Sequence, residues 1–253
     1  MLGFLNILGD QAWHGFVVFL RVAAMASLLP AFGEETVPAR IKLVVALAFT
    51  LIVAPAVPHS TLLPGLPAVA LLVLTEALTG LALGLGIRLF ILALQTAGAI
   101  AAQSTSLSQI LGGAVRDPLA AIGYILIVGA LALAVMAGLH VKAAELVILS
   151  YDVMPIGVFA GASDLSDWGL DQVRRAFSLA FTLAAPFILV SVLYNLALGA
   201  INKAMPQLMV AFVGAPVITA GGLLILCISS PLILTVWLDA LDTFMAAPFQ
   251  AVP

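Results

Sequence analysis

The chain carries very little charge. Of its 253 residues only 8% are Asp, Glu, Lys or Arg, whereas 64% are hydrophobic. Soluble globular chains have about 25% charged and about 45–50% apolar residues, so a water-soluble domain could not cover this much apolar surface. The composition therefore predicts an integral membrane protein or the apolar centre of a larger assembly. The net charge of -3 and the lack of any basic run argue against nucleic-acid binding.

Cysteine and the common catalytic motifs are almost absent. Cys227 is the only cysteine, which excludes an internal disulfide framework, and its apolar neighbours predict a small buried side chain. The sequence contains no HExxH, Walker A loop, CxxC or GxSxG. His14, His59 and His140 lie in three separate segments, so a shared metal site could form only through the fold. We predict no enzyme activity, no cofactor and no metal site.

Long apolar stretches are abundant instead. They cover about 11–32, 43–58, 68–102, 119–151, 176–202 and 204–238. Because a membrane-spanning helix needs about 20 apolar residues, these stretches predict about six spans. Pro186, Pro216 and Pro231 lie inside apolar stretches, where proline should kink a helix without ending it. The predicted fold is an all-α, polytopic membrane protein with about six long, kinked hydrophobic helices arranged as hairpins.

The few charged residues inside these stretches need partners, because an unpaired charge in a membrane is costly. Glu76 and Arg88 lie about 18 Å apart along one helix, at about 1.5 Å per residue. Each therefore needs a partner on another helix or another chain, unless it belongs to a proton or ion pathway. Lys142 and Glu145 are three positions apart and could neutralise each other. Glu34 and Glu35 are adjacent in a polar loop, and we expect a solvated loop or a helix start there, not an acid/base pair.

Small and polar residues predict two tightly packed helix faces. Ser191, Asn195, Gly199 and Asn202 follow one another at steps of four, four and three, which places them on one face. Residues 80–84 form a GxxxG pattern, and such patterns let helix backbones approach closely. The polar face could instead line a solute path in a six-helix secondary transporter. The residues predicted to pack subunits together are Glu76, Gly80, Gly84, Arg88, Ser191, Asn195, Gly199 and Asn202.

Two polar segments interrupt the apolar pattern. The segment 103–118, QSTSLSQILGGAVRDP, predicts either a surface connection or a loop that constricts or plugs a pore. The segment 202–207, NKAMPQ, predicts either an ordinary positively charged turn on the inner side or a surface where another protein docks.

Four parts of the sequence carry a resemblance to a known family. They are RVAAMASLLPAFGEETVPARIKLVVALAFTLIVAP (21–55), the loop ending RDP (103–118), MPIG (154–157) and LYNLALGAINKAMPQLMVAFVGAPV (193–217). Through them the chain resembles the FliR family, the export-gate subunits of the flagellar type III secretion apparatus, which have a virulence counterpart in the injectisome. The flagellar branch fits better than the virulence branch. The resemblance implies one helical, non-enzymatic export-gate domain over 1–253, with a FliP-like part over about 1–175 and a FliQ-like hairpin over about 176–253. It also implies a location in the bacterial inner membrane, at the flagellar basal body.

The resemblance implies partners as well. These are FliP-like and FliQ-like gate subunits and an FlhB-like switch protein, with an FlhA-like export protein and the basal-body MS ring nearby. Unfolded secreted substrates would pass through the assembled gate, which lies in the lipid membrane, and nucleic acid is not expected.

Two sets of site residues follow from the same resemblance. The family's plug loop corresponds to 106–118, although the interior SLSQILGGAV departs from the Phe-containing family pattern. The implied plug residues are Ser106, Leu107, Ser108, Gln109, Ile110, Leu111, Gly112, Gly113, Arg116, Asp117 and Pro118. The implied residues of the cytoplasmic entrance and docking surface are Arg40, Lys42, Lys203, Met205, Pro206 and Gln207.

Overall fold

The computed structural model describes residues 2–34, 36–59, 65–106, 121–158, 161–205 and 210–249. Within these ranges it describes the backbone but not the side chains of 2–8, 105–106, 121 and 210–216. All regular secondary structure in these ranges is helical. The helices are α1 (Leu2–Leu28), α2 (Ala39–Val53), α3 (Leu66–Ser106), α4 (Ala121–Met136), α5 (Leu139–Val153), α6 (Ala162–Ala204) and α7 (Val210–Ala246), with a 3-10 turn at Ala54–Ala56.

The predicted all-α, polytopic membrane fold is confirmed. Within the described ranges, five helical segments are long and apolar enough to cross a membrane, and α4 with α5 forms a bent pair that would make a sixth. The five segments are Gly9–Leu28, Ala39–Ala56, Leu66–Ser104, Ala162–Ala204 and Val217–Ala246.

The fourth apolar stretch contains a break. Its helix ends at Met136 and resumes at Leu139, and Gly138 between them has a φ of 82°. Glycine adopts this left-handed conformation without the steric cost that a Cβ would bring. Helix α6, by contrast, continues through Pro186, as predicted.

Helices α3 and α6 are the two longest, and each is longer than a bilayer crossing requires. Helix α3 has 41 residues and α6 has 43, so each extends about 60 Å at about 1.5 Å per residue. The hydrocarbon core of a bilayer is only about 30 Å thick. The extra length gives both helices surface beyond a single crossing.

The chain divides into two compact units, each assembled from separate segments. The first unit contains Met1–Leu89, Val135–Val173 and Leu241–Pro253, and the second contains Phe90–Ala134 and Arg174–Ala240. The first unit buries side chains of α1, α3 and α5, such as Val22, Ile87 and Leu146. In the second unit the Trp237 indole is buried and donates a hydrogen bond to the carbonyl of Phe90 at 2.8 Å.

Many large apolar side chains remain exposed on the chain. Leu51, Leu196 and Ile228 are each more than 70% exposed, at 77%, 71% and 71%. Apolar exposure on this scale marks surfaces that lipid or another protein covers. Cys227 is also exposed, so the prediction that it is buried was wrong. The apolar neighbours of Cys227 indicated an apolar environment, but they could not show whether this chain itself supplies it.

Candidate functional site

A buried ion pair forms the polar centre of the first unit. Arg21 on α1 donates from Nε to Oε2 of Glu76 on α3 at 2.8 Å, and from Nη2 to Oε1 at 3.1 Å. The two side chains are 0% and 1% exposed. In this bidentate geometry the guanidinium and the carboxylate neutralise each other's charge and form two parallel hydrogen bonds. Glu76 therefore has the partner on another helix that its position in an apolar stretch required.

Arg21 also attaches α1 to α5. Its Nη1 donates to the Ser150 hydroxyl at 2.9 Å, and its Nη2 donates to the Met154 carbonyl at 2.9 Å. Its guanidinium lies over the ring of Tyr151, 3.7 Å from the ring centroid. A cation over an aromatic face gains further electrostatic attraction when it is desolvated, as it is here. One arginine thus joins α1 to α3, α5 and the residue after α5.

The MPIG segment at 154–157 is the other half of this centre. While the Met154 carbonyl accepts from Arg21, the backbone N–H of Gly157 donates to Glu76 Oε1 at 3.0 Å. Gly157 has a φ of 73°, which favours glycine. The ion pair therefore fixes both ends of the turn that follows α5. Two stretches on which the family resemblance rests, the one beginning at Arg21 and MPIG, meet here.

The pairing of Arg21 with Glu76 was not predicted from the sequence. Arg21 is the only charged residue in the apolar stretch at 11–32. Glu76 lies near the start of the stretch at 68–102, with no other charged residue close to it in the sequence. Two isolated charges of opposite sign in apolar helices each need a partner. That shared requirement was the available signal, but hydropathy could not show that α1 and α3 are neighbours.

The GxxxG glycines bring α1 and α3 into contact. A Cβ on Gly80 would clash with the carbonyl of Arg21, and one on Gly84 would lie 2.8 Å from the carbonyl of Met25. The absence of side chains at these positions permits the close approach on which the Arg21–Glu76 pair depends. These glycines and Glu76 contact α1 of the same chain, and their predicted role in packing against another subunit stays a prediction.

The loop after α1 contains a second ion pair. Arg88 Nη1 lies 3.3 Å from Oε1 of Glu34, and the two side chains are 27% and 30% exposed. Lys42 Nζ donates to the Gly33 carbonyl at 2.9 Å, and Gly33 itself has no room for a Cβ beside Ser27. Arg88 therefore has a partner within the chain, and Glu34 is paired where a solvated side chain was expected.

A third ion pair replaces the predicted one on α5. Lys142 Nζ lies 2.7 Å from Oδ1 of Asp242 on α7, whereas Glu145 is exposed. The spacing of three made a Lys142–Glu145 pair possible, but contact with α7 offered Lys142 a carboxylate on another element. The predicted pair was therefore wrong.

The polar face of α6 holds the end of α3 in the second unit. The Ser191 hydroxyl donates to the carbonyl of Ser104 at 2.7 Å, and Asn195 Nδ2 donates to the carbonyl and hydroxyl of Ser191 at 2.8 and 3.2 Å. The last carbonyls of a helix lack partners within the helix, and Ser191 supplies one. Further along this face, a Cβ on Gly199 would meet open space, and Asn202 is exposed.

Most of the implied plug and part of the entrance set lie outside the described residues. Ser106 is the last residue of α3, while 107–118, with every other implied plug residue, is outside the description, as are Pro206 and Gln207. Arg40, Lys203 and Met205 are exposed, and Lys42 is half-buried against the Gly33 carbonyl.

Comparison with known proteins identifies the family. Residues 12–244 match bacterial export proteins, family 1. The chain is 34% identical over 236 residues to the flagellar biosynthetic protein FliR of Caulobacter vibrioides, covering 90% of this chain and 93% of that protein. It is 30% identical over 225 residues to the Escherichia coli protein of the same name (86% and 84% covered) and 30% over 224 residues to that of Aquifex aeolicus (85% and 84%). The resemblance found in the sequence is confirmed, and the chain belongs to bacterial export proteins, family 1, the family of the flagellar biosynthetic protein FliR.

Proposed function

We propose that this chain is a structural subunit of the flagellar type III export gate and helps unfolded proteins to cross the bacterial inner membrane. The observation that carries the proposal is the match of residues 12–244 to the export family, with relatives that are flagellar biosynthetic proteins. The apolar helices long enough to cross a membrane support a membrane location.

We propose a role without catalysis. Arg21 makes four hydrogen bonds, and Glu76 accepts three, all to groups of the same chain. A polar centre that is paired in this way, and sealed from solvent, suits the joining of helices better than a reaction with a substrate.

The proposed partners are FliP-like and FliQ-like subunits, with an FlhB-like protein at the cytoplasmic entrance. The exposed apolar side chains of α6 and α7, such as Leu196 and Ile228, offer surface for other helices. The open space beside Gly199 would let a neighbouring backbone approach closely. Lys203 and Met205, both exposed at the end of α6, are the proposed docking residues. In this proposal the chain has a FliP-like part up to about 175 and a FliQ-like hairpin after it.

The segment 106–118 is proposed to close the pore. Its apolar Leu107, Ile110 and Leu111 would exclude ions, and Gly112 and Gly113 would let it move for a substrate. The hydrogen bond from Ser191 to Ser104 supports this role indirectly, since it holds the helix end from which the segment departs. Replacing 110–113 with a shorter polar linker should raise ion leakage through the assembled gate, and unchanged conductance would rule the plug out.

The first test of the function is purification of the tagged chain from its native cells in mild detergent, followed by mass spectrometry. Recovery of FliP-like and FliQ-like proteins in one large complex is the expected result. A stable monomer or homodimer without them would contradict the proposal. Solute transport by the chain alone in proteoliposomes would point to a secondary transporter instead.

A further inference from the structure

Two histidines that are distant in the sequence meet in the first unit. His14, on α1, is only 2% exposed, and its ring centroid lies 4.4 Å from that of His59, with the rings tilted by 48°. His59 follows the 3-10 turn at Ala54–Ala56 and is exposed. The pair therefore has one buried and one accessible imidazole.

The surroundings of His14 indicate where its proton lies. Its Nε2 is 2.9 Å from the carbonyl oxygen of Ala54. A carbonyl only accepts hydrogen bonds, so Nε2 carries the hydrogen and the lone pair of the neutral ring is on Nδ1. Nδ1 is buried and has no hydrogen-bond partner among the residues that the structure describes. A buried acceptor without a partner is costly and calls for an explanation, such as an ion.

The hydrogen bond from His14 to the Ala54 carbonyl is a feature of histidines that bind metals. A metal-binding imidazole usually donates its second ring N–H to a carbonyl or carboxylate, which fixes the ring and raises its basicity. With metal–nitrogen distances of about 2.0–2.1 Å, two imidazoles on one ion have ring centroids about 4.5 Å apart at a right angle and about 5.2 Å apart at a tetrahedral angle. The observed 4.4 Å is near the first value.

We propose that His14 Nδ1 and His59 form a binding site for a divalent transition-metal ion of the zinc, nickel and copper class. Neutral imidazole suits these ions. A bound ion would attach the connection between α2 and α3 to α1. The inference stands apart from the export function and departs from the prediction, based on the sequence, that the chain has no metal site.

The charged residues near the pair in the sequence would not repel a bound cation. Asp10, one helical turn before His14 on α1, is exposed, and residues 43–75 contain no Asp, Glu, Lys or Arg. Among the described residues no three His, Cys, Asp or Glu side chains form a metal-binding group. The protein would therefore supply two imidazole ligands, and water would fill the remaining positions around the ion.

The test uses Cu²⁺ as the probe, since it binds nitrogen sites most tightly among these ions. The full-length chain, purified with its co-purifying complex through a tag without histidine and stripped of metal, is titrated with Cu²⁺ and examined by electron paramagnetic resonance. We expect one bound Cu²⁺ per chain with two nitrogen ligands, and Zn²⁺ should displace the ion only when present in large excess. His59→Gln should lower the affinity at least tenfold and remove one nitrogen ligand.

His140→Gln is the matched control, because His140 is exposed on α5, and it should leave both the affinity and the spectrum unchanged. His59 is exposed, so its replacement should preserve the fold, whereas replacement of the buried His14 serves only as a second variant. Absence of Cu²⁺ binding would overturn the proposal. Binding with the same affinity and the same nitrogen count in His59→Gln as in the native chain would overturn it as well.

Discussion

Arg21 and Glu76 lie 55 positions apart in the chain and meet through a hydrogen bond of 2.8 Å, with neither side chain accessible to solvent. Around this contact, Ser150 and Met154 accept from the arginine, and Gly157 donates to the carboxylate. Three helices and the turn after α5 are therefore joined by one pair of side chains.

Neutralising the carboxylate should destabilise the protein strongly. Glu76→Gln leaves the Arg21 guanidinium buried without a counter-charge, and breaking a buried pair in this way costs about 3–5 kcal/mol. Arg88→Ala is the control, because the Arg88–Glu34 pair is about 30% exposed and such pairs contribute only about 0–1 kcal/mol. The unfolding temperature of the purified complex should fall much further in Glu76→Gln. Equal unfolding temperatures for the two variants would contradict a structural role of the buried pair.

Glycine replacements should separate packing within the chain from packing between chains. Gly80→Ala places a methyl group against the Arg21 carbonyl, so it should lower the unfolding temperature, whereas Gly199→Ala meets open space. Alanine is favoured over glycine inside a helix by about 1 kcal/mol, so Gly199→Ala should leave the chain's stability unchanged or raised. If Gly199 lies at a subunit contact, the same variant should reduce recovery of the partner subunits. A Gly80→Ala variant as stable as the native chain would show that α1 and α3 need not approach so closely.

Removal of the Ser191 hydroxyl should increase leakage of the assembled gate. Ser191→Ala leaves the Ser104 carbonyl without the donor that now reaches it from α6, which loosens the helix end before the proposed plug. The measurement is ion conductance of the purified complex in planar bilayers. Ser229→Ala is the comparison, since the Ser229 hydroxyl donates to the Ile225 carbonyl of its own helix, and this variant should behave as the native gate. Identical conductance in both variants would refute a role for Ser191 in holding the closed gate.

Charge reversal at the end of α6 should impair docking without unfolding the chain. Lys203 is exposed in the last turn of α6, so Lys203→Glu should barely change the unfolding temperature of the chain. It should reduce the recovery of FliQ-like and FlhB-like partners and the export of flagellar proteins, while Lys203→Arg should preserve both. Intact assembly and export in Lys203→Glu would remove the docking role.

The helices could be predicted from the sequence because hydropathy is a local property. The long apolar stretches predicted the spans, and Pro186 was correctly placed inside α6. The break at Gly138 was not predicted, since a single glycine is tolerated within many membrane helices. Which apolar side chains are exposed could not be predicted from the sequence either, because lipid and protein surroundings select similar apolar side chains. Cys227 is an example.

By itself, the sequence determined that this chain is helical, embedded in a membrane and a member of an export family, since composition and contiguous motifs carry that information. Only the tertiary structure decided that Arg21 pairs with Glu76 and Lys142 with Asp242, over separations of 55 and 100 positions. It likewise brought His14 beside His59. Such contacts depend on which helices are neighbours and on which side chain reaches across, and neither is encoded in the local run of residues.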